Sequence, residues 1–200
     1  MTANRVLIIV ANPREKSFSH QLAEAYLDGA TEAGKFVTTL DLYTTDLQLD
    51  FLRPETKIEY TEQQAVREEL QQMIYDSQEI VIIHPLWWGG PPAILKNFID
   101  QVLTPGFAFR YKRRAGVPRR FDILPERLLK GRTVRLLVTA DGQRWTNIVR
   151  LMPWLMTWNM YIFRFTGLKL KSVRLYDFMR NRTAIQRSKW LAQIATVAKK

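Results

Sequence analysis

Two short runs of consecutive apolar residues, at 6–10 and 80–83, place the strongest constraint on the fold. A strand that is apolar on both faces must be covered on both sides, as the central strands of a parallel sheet are. Further elements are expected at 22–34, 36–42, 62–76, 94–102, 132–139, 172–176 and 183–198. The alternation of strands and helices predicts an α/β protein with a doubly wound sheet of five parallel strands, in the order 2-1-3-4-5, and helices on both faces.

The length and composition predict a single domain over residues 1–200, carrying a basic insertion at about 110–127. An apolar fraction of 46% is enough for a packed core. The chain has no cysteine, which excludes disulfides, thiolate nucleophiles and zinc–cysteine sites, and only two histidines, which argues against a histidine metal site. No metal site is therefore predicted.

The start of the chain lacks the pattern of a signal peptide, and no run reaches the roughly 18 apolar residues of a spanning helix. The absence of cysteine fits a reducing compartment, so a cytoplasmic protein is expected. The formal charge of +11 suits nucleic acid, an anionic membrane or a phosphate-bearing cofactor equally well. The basic run 110–120 has no acid, and a solvated loop is favoured there over nucleic-acid contact.

The stretch 84–100 follows the apolar run 80–83 and predicts a loop and then a helix. Trp87 and Trp88 stand at the carboxyl end of the strand, where an open α/β sheet binds ligands. Gly89 and Gly90 allow close approach to the backbone, and the two prolines after them suit the first turn of a helix. Two indoles beside backbone N–H groups favour a flat aromatic ligand. Packing of both tryptophans in the core or at an interface is an equally good interpretation.

The turn after the first strand is a candidate phosphate site. Ser17 and Ser19 precede or begin a helix, whose N-terminus attracts anions, and Arg14 and Lys16 add positive charge. Simple helix capping by either serine is the favoured alternative when the turn is considered alone. The turn lacks the Gly-x-Gly-x-x-Gly and P-loop patterns.

The turn after the fourth strand contains Asp141 and Gly142, which could contact the same ligand or only stabilise the turn. His84 is interpreted as a packed, hydrogen-bonded residue rather than a general base, and His20 as exposed or capping. No Ser–His–acid arrangement or close acid pair is expected. The missing acid–base groups favour chemistry carried by a cofactor.

Residues 151–163 are apolar nearly all round and predict a helix that is buried at a subunit interface or against a membrane surface. A subunit contact in a homodimer is preferred for this segment, with peripheral membrane contact as the alternative.

Several motifs together resemble the NAD(P)H:quinone oxidoreductase family of flavodoxin-like flavoproteins. The most specific is the segment at 85–89, Pro-Leu-Trp-Trp-Gly, which is followed by Pro-Ala-Ile-Leu-Lys at 92–96 and Pro-Gly-Phe-Ala-Phe at 105–109. Ser-Phe-Ser at 17–19, Leu-Leu-Lys-Gly-Arg at 128–132 and Phe-Thr-Gly-Leu at 165–168 support it. The resemblance spans residues 5–191 and implies a flavodoxin-like fold.

The resemblance also implies a noncovalently bound flavin, FMN or alternatively FAD, and a homodimer with the flavin near the interface. Three turns would hold the flavin. The phosphate would lie against Asn12, Lys16, Ser17, Phe18 and Ser19. The isoalloxazine ring would be flanked by Pro85, Leu86, Trp87, Trp88 and Gly89. The pyrimidine edge would meet Thr139, Ala140, Asp141 and Gly142, with Trp145 close by.

The implied activity is ping-pong hydride transfer from NADH or NADPH to a quinone or similar small-molecule acceptor. Trp88, Gly89, Gly142 and Arg144 would be the catalytic residues, because their N–H groups or charge would face the N5 and N1 edges of the flavin. The family usually has His where this chain has Asn12 and Asn where it has Ser19, and this sequence looks closer to a bacterial branch. The alternative function is a non-catalytic basic regulatory subunit that retains the fold.

Overall fold

Five parallel strands form the central sheet of the computed structural model, which describes residues 4–51, 63–111 and 125–200. These strands lie side by side in the order β2-β1-β3-β6-β7. Their bounds are β1 Arg5–Val10, β2 Phe36–Asp41, β3 Glu79–Pro85, β6 Thr133–Thr139 and β7 Lys169–Tyr176. Counted within the sheet, this is the predicted order 2-1-3-4-5, so the flavodoxin-like fold is confirmed.

Helices cover both faces of the sheet. They are α1 Phe18–Glu32, α2 Gln64–Asp76, α3 Ala93–Val102, α4 Arg144–Trp158 and α5 Ala184–Ala198. On one face α1 and α5 pack over the central strands, and Gly29 is needed there because a Cβ would lie 2.1 Å from the Ala195 carbonyl oxygen. The larger core, on the other face, is filled by α2, α3 and α4. The apolar runs at 6–10 and 80–83 are fully buried, because both of their faces are covered.

Helix α4 begins at Arg144, seven residues before the predicted start at 151. Because its first residues are polar, the sequence pattern did not predict this part of the helix. Pro153 lies inside the helix and is tolerated, although it removes one hydrogen-bond donor. A π-helical turn, Asn159–Phe163, and a short α-helical turn, Arg164–Thr166, extend it as far as Gly167. Within the single chain Leu151 and Trp158 are buried and one face of the helix is exposed, so the burial of that face against a second copy stays a prediction.

The basic insertion predicted at about 110–127 is paired at its described ends. The short antiparallel strands β4 Phe109–Arg110 and β5 Glu126–Arg127 join there, and the Arg110 guanidinium donates to Glu126 at 2.8 and 3.0 Å. The centre of the predicted basic insertion, at 112–124, lies outside the described residues. Within the described ranges, the helices are all too short or too polar to cross a bilayer.

A buried ionic cluster closes the amino end of the sheet. The Glu79 carboxylate accepts from Arg135 Nε at 2.6 Å and from Lys171 Nζ at 3.3 Å, and its second oxygen lies 3.6 Å from Lys35 Nζ. Burial alone would raise the pKa of Glu79, but the hydrogen bond and charge of Arg135, with Lys171 and Lys35, hold that pKa below its ordinary value. The carboxylate therefore stays ionised inside the fold.

Candidate functional site

Three turns converge at the carboxyl ends of β1, β3 and β6, which are neighbours in the sheet. Backbone bonds hold them together: the Ala11 N–H donates to the Ile83 carbonyl at 2.9 Å, and the Leu86 N–H to the Thr139 carbonyl at 2.7 Å. The hydroxyls of Ser19 and Thr139 also lie 3.4 Å apart. The structure therefore brings the three predicted turns into one site.

The turn after β1 presents backbone donors at the start of α1. Ser17 is the N-cap of the helix, and its hydroxyl accepts from the His20 N–H at 3.4 Å. Among the described residues, no acceptor lies opposite the N–H groups of Phe18 and Ser19. The Phe18 ring is buried against Tyr176 and Trp190, so this residue offers only its backbone to a ligand.

The remaining polar groups of the turn are arranged around these donors. Asn12 Nδ2 donates to the Ser19 hydroxyl at 3.0 Å, and Ser19 itself is fully buried. Lys16 is exposed, with a left-handed backbone at φ +55°. The capping role that the sequence suggested for a serine belongs to Ser17. Capping leaves the N–H groups of Phe18 and Ser19 available for an anion.

The sequence suggested no Ser–His–acid arrangement for hydrolysis, and the structure nevertheless joins a serine, a histidine and an acid by hydrogen bonds. His20 Nδ1 lies 2.8 Å from the Ser17 hydroxyl, and its Nε2 lies 2.9 Å from the Asp41 carboxylate at the end of β2. His20 is partly buried and joins two elements, rather than being simply exposed or capping. The sequence could not show this contact, because Asp41 is 21 residues away and belongs to another strand.

The turn after β3 holds the two tryptophans in different environments. The backbones of Trp87 and Gly90 exchange hydrogen bonds of 2.8 and 2.9 Å, which forces Trp88 and Gly89 into the left-handed region at φ +51° and +80°. The Trp88 side chain is fully exposed, and Trp87 is 45% exposed. The interpretation that Trp88 packs in the core is therefore wrong. Neither the Trp88 nor the Gly89 N–H finds an acceptor in the described part of the chain.

The residues before this turn are part of the scaffold. His84 is fully buried, and its Nδ1 donates to the Pro85 carbonyl at 2.8 Å. Burial lowers the pKa of His84 to about 4, although the bond to Pro85 acts in the opposite sense. The ring is neutral at physiological pH and shielded from solvent, as predicted for a packed histidine. Leu86 is half-buried and lines a cavity in front of the turn.

In the turn after β6, some of the predicted groups are hydrogen-bonded within the fold, and others are available to a ligand. Both backbone groups of Ala140 are used, since its N–H donates to Tyr176 and its carbonyl accepts from Met179. The Asp141 carboxylate pairs with Arg180 and accepts the backbone N–H of that residue. Of the two interpretations of Asp141, turn stabilisation is the one that these bonds support. The N–H groups of Asp141 and Gly142 have no acceptor within the described ranges.

The two residues that begin α4 also have protein partners. Arg144 Nη1 donates to the fully buried Asp177 carboxylate at 3.4 Å, but the Arg144 side chain remains 68% exposed. Trp145 is exposed, and its indole N–H donates to Gln143 at 2.9 Å. Arg144 thus lies at the rim of the site, where its position depends on Asp177.

A cavity of about 580 Å³ lies between the turn after β3 and helix α4. It is lined by Leu86, Trp88, Gly89, Asn147, Pro153 and Trp154. The last three were not predicted as site residues: Asn147 lies before the predicted start at 151, and Pro153 and Trp154 were interpreted as part of an apolar contact face. Asn147 is buried and donates to the Gly142 carbonyl at 2.6 Å, so it connects α4 to the turn after β6. An asparagine one turn into a helix gives no sequence signal for this role.

The site fits a flavin on three observations. Unpartnered N–H groups at the start of α1 suit a phosphate, and those at 88–89 and 141–142 suit the polar edge of a flat ring. The cavity has the size of a small-molecule site. The exposed Trp88 indole beside it can cover an aromatic face.

Comparison with known proteins gives the family. The model of the flavodoxin-like fold family matches residues 4–197, and the chain belongs to this family. One relative is an NAD(P)H oxidoreductase of Haemophilus influenzae, 32% identical over 108 residues, which are 52% of each chain. Another is human ribosyldihydronicotinamide dehydrogenase [quinone], 29% identical over 71% of this chain and 65% of the relative. These matches span about half to two thirds of the curated relatives, and they confirm the resemblance to the NAD(P)H:quinone oxidoreductases.

Solved structures extend the likeness over the whole fold. An NAD(P)H:quinone oxidoreductase from Methanothermobacter marburgensis has a TM-score of 0.75 at 23% identity and covers 98% of this chain and 96% of its own. An FMN-dependent NADH-azoreductase from Bacillus anthracis, solved with FMN, has a TM-score of 0.74 at 17% identity and covers 98% and 97%. At these identities the likeness establishes the fold.

Proposed function

We propose that this protein is a flavin-dependent NAD(P)H oxidoreductase that reduces a quinone or a similar small-molecule acceptor. The observation that carries the proposal is the convergence, at neighbouring strand ends, of three turns with N–H groups that have no acceptor among the described residues, beside the exposed indole of Trp88. The names of the relatives, among them NAD(P)H oxidoreductase and quinone dehydrogenase, support the same class of reaction.

The proposed cofactor is FMN, with FAD as the alternative; the FMN complex of the Bacillus anthracis azoreductase supports FMN. A bound flavin supplies hydride acceptance from a reduced nicotinamide and electron donation to the second substrate. In the proposal, the N–H groups of Phe18 and Ser19 hold its phosphate, with Asn12 and Lys16 beside them. Trp88 covers the ring, and the N–H groups of Gly89 and Gly142 stabilise negative charge on its edges.

A ping-pong order is part of the proposal. The nicotinamide and the acceptor would use the same face of the bound flavin in turn. NADH or NADPH would therefore leave before the acceptor enters. Arg144, exposed at the rim and held by Asp177, would attract either the dinucleotide or a negatively charged acceptor.

The homodimer remains part of the proposal. One face of α4 exposes Trp145, Val149, Met152 and Met156, and the next turn exposes Met160. Such a stripe on a chain of this size suits contact with a second copy, which would also enclose the cavity bordered by Pro153 and Trp154. Met156→Glu should lower the mass measured by light scattering to that of one chain. Thr31→Glu, on the exposed end of α1, is the charge-matched control and should leave the dimer intact.

The cytoplasmic location stays a prediction, and so does the choice of a solvated loop over nucleic-acid contact for the basic insertion. The competing function is a non-catalytic basic subunit, for which the high positive charge and the exposed face of α4 are the supporting observations.

The test is reconstitution with FMN, followed by measurement of visible absorption and of its loss on addition of NADH or NADPH. The expected protein is yellow, is bleached by one of the two donors and then reduces quinones, azo dyes or nitroaromatics. A protein that binds neither FMN nor FAD would favour the non-catalytic subunit. A protein that binds FMN but is not bleached would contradict the proposed donor.

A further inference from the structure

A chain of hydrogen bonds sets the direction of the Ser17 hydroxyl. One oxygen of Asp41 accepts the Tyr43 N–H at 3.0 Å, and the other lies 2.9 Å from His20 Nε2. An ionised carboxylate can only accept, so Nε2 carries the proton of the neutral ring. Nδ1 is then an acceptor, and the Ser17 hydroxyl, 2.8 Å away, must donate to it.

This direction is unfavourable for an anion at the start of α1. While the Ser17 hydrogen points to His20, the hydroxyl presents only lone pairs to the space in front of the helix, where a phosphate oxygen would also be an acceptor. If His20 is protonated, Nδ1 becomes the donor to the Ser17 oxygen. The hydroxyl hydrogen is then available to the phosphate, and the charge of the ring is balanced by Asp41.

The charged and titratable groups around this ring are few. Asp41 is the acid in contact with it, and Tyr43 lies on the far side of Asp41, where burial and the charge of Asp41 raise the pKa of its phenol. Exposed groups nearby in sequence are Arg14, Glu15, Lys16 and Glu24. Because these four are solvated, the ring responds mainly to Asp41 and to whatever binds beside Ser17.

We propose that Asp41, His20 and Ser17 make binding of a phosphate monoester at this turn proton-linked, with His20 taking up a proton as the phosphate binds. The inference rests on the proposed function, since the phosphate is that of the flavin. Asp41 and His20 are positioning residues in this scheme, and they act on the ligand through the Ser17 hydroxyl. The linkage makes the affinity for FMN fall as pH rises.

The experiment is titration calorimetry of the whole protein at about pH 7.5, where a phosphate monoester is mostly a dianion. The titration is repeated in two buffers of different ionisation enthalpy, with FMN and with riboflavin, which has no phosphate. We expect proton uptake on binding FMN and none on binding riboflavin, and an FMN association constant that falls as pH rises, by at most about tenfold per pH unit for one proton.

Two variants identify the group that takes up the proton. In Asp41→Asn the amide oxygen can still accept the Tyr43 N–H, while the amide nitrogen donates to His20 Nε2. The neutral ring then carries its proton on Nδ1, so FMN should bind with no proton uptake. His20→Gln should behave alike, because an amide N–H can donate to Ser17. Asp46→Asn, the same charge change on the connection after β2, is the control and should keep the uptake.

FMN binding without proton uptake by the unmodified protein would overturn the linkage, and uptake that persists in His20→Gln would assign the proton to the phosphate instead. Either result leaves the proposed function standing. Failure of FMN, FAD and riboflavin all to bind would overturn the proposed function itself.

Discussion

The two ends of the central sheet differ in whether their polar groups are paired within the protein. At the amino end, the buried Glu79 carboxylate is bonded to Arg135 and Lys171 and lies near Lys35, so the charges compensate one another inside the protein. At the carboxyl end, the turns leave N–H groups without an acceptor in the described chain and hold Trp88 fully exposed. The polar groups of the amino end are paired within the fold, whereas those of the carboxyl end would be completed by the proposed flavin.

The carboxyl end is nevertheless firmly held. Backbone bonds from Ala11 to Ile83 and from Leu86 to Thr139 fix the turns to the sheet. The donors are thus preorganised, which lowers the ordering cost of binding. The comparison indicates that substitutions at the amino end should change stability, and those at the carboxyl end should change flavin affinity.

The largest expected effect is at the amino end. Glu79→Gln removes the negative charge and leaves Arg135 and Lys35 buried without a counter-ion, so it should lower the free energy of unfolding by roughly 3–5 kcal/mol. The measurement is urea unfolding followed by circular dichroism. Asp100→Asn, which breaks the exposed Lys96–Asp100 pair on α3, is the control and should cost only about 0.5 kcal/mol. An equal loss of unfolding free energy in both variants would contradict the predicted difference between the buried and the exposed ion pair.

The same cluster predicts a dependence of stability on pH. Because the folded pKa of Glu79 lies below its unfolded value, the contribution of Glu79 is complete above the unfolded pKa. It is lost as pH falls through the folded value, so the window lies below roughly pH 4. Unfolding free energies measured from neutral pH downward should decline less steeply in Glu79→Gln than in the unmodified protein. Parallel curves would show that Glu79 is not responsible.

At the carboxyl end, substitutions of Trp88 should weaken FMN binding without lowering the free energy of unfolding. A non-glycine residue at φ +51° is strained, so Trp88→Gly should raise the free energy of unfolding by about 1 kcal/mol. Loss of the indole should weaken FMN binding by about threefold to tenfold. In Trp88→Ala the backbone strain remains, so this variant should lose the same affinity without the gain in stability. Unchanged FMN binding in both would reject the placement of this turn against the ring.

The sequence predicted the strands and helices of the fold better than it predicted the candidate site. The runs at 6–10 and 80–83 and the helical spacings gave the strand order, because burial on both faces leaves a direct trace in composition. The start of α4 was misplaced, because its first turns are polar where they border the site. A segment whose role is to face a ligand or a partner does not carry the pattern of a core.

The sequence also did not predict several polar contacts of the side chains. The three turns could be placed together from strand order alone, since the carboxyl ends of neighbouring parallel strands meet at one edge. The contact of His20 with Asp41, 21 residues away, depends on side-chain rotamers of two elements. The burial of Asp177 beneath Arg144 and Arg182 is of the same kind. The bond from the Asn147 side chain to the Gly142 carbonyl is local in sequence, but it depends on where α4 begins.

Effects as small as those at Trp88 are expected at Ser17, where a single residue has both a structural and a proposed binding role. This residue caps α1 and also faces the proposed phosphate, so Ser17→Ala should cost about 1 kcal/mol of stability and about 0.5–1.5 kcal/mol of FMN affinity. The two losses can be separated. Aspartate caps a helix as well as serine does, but it repels a phosphate, so Ser17→Asp should keep the stability and bind FMN more weakly than Ser17→Ala. If Ser17→Asp retains both stability and FMN affinity, Ser17 is a cap alone, and the phosphate is held by the neighbouring N–H groups without it.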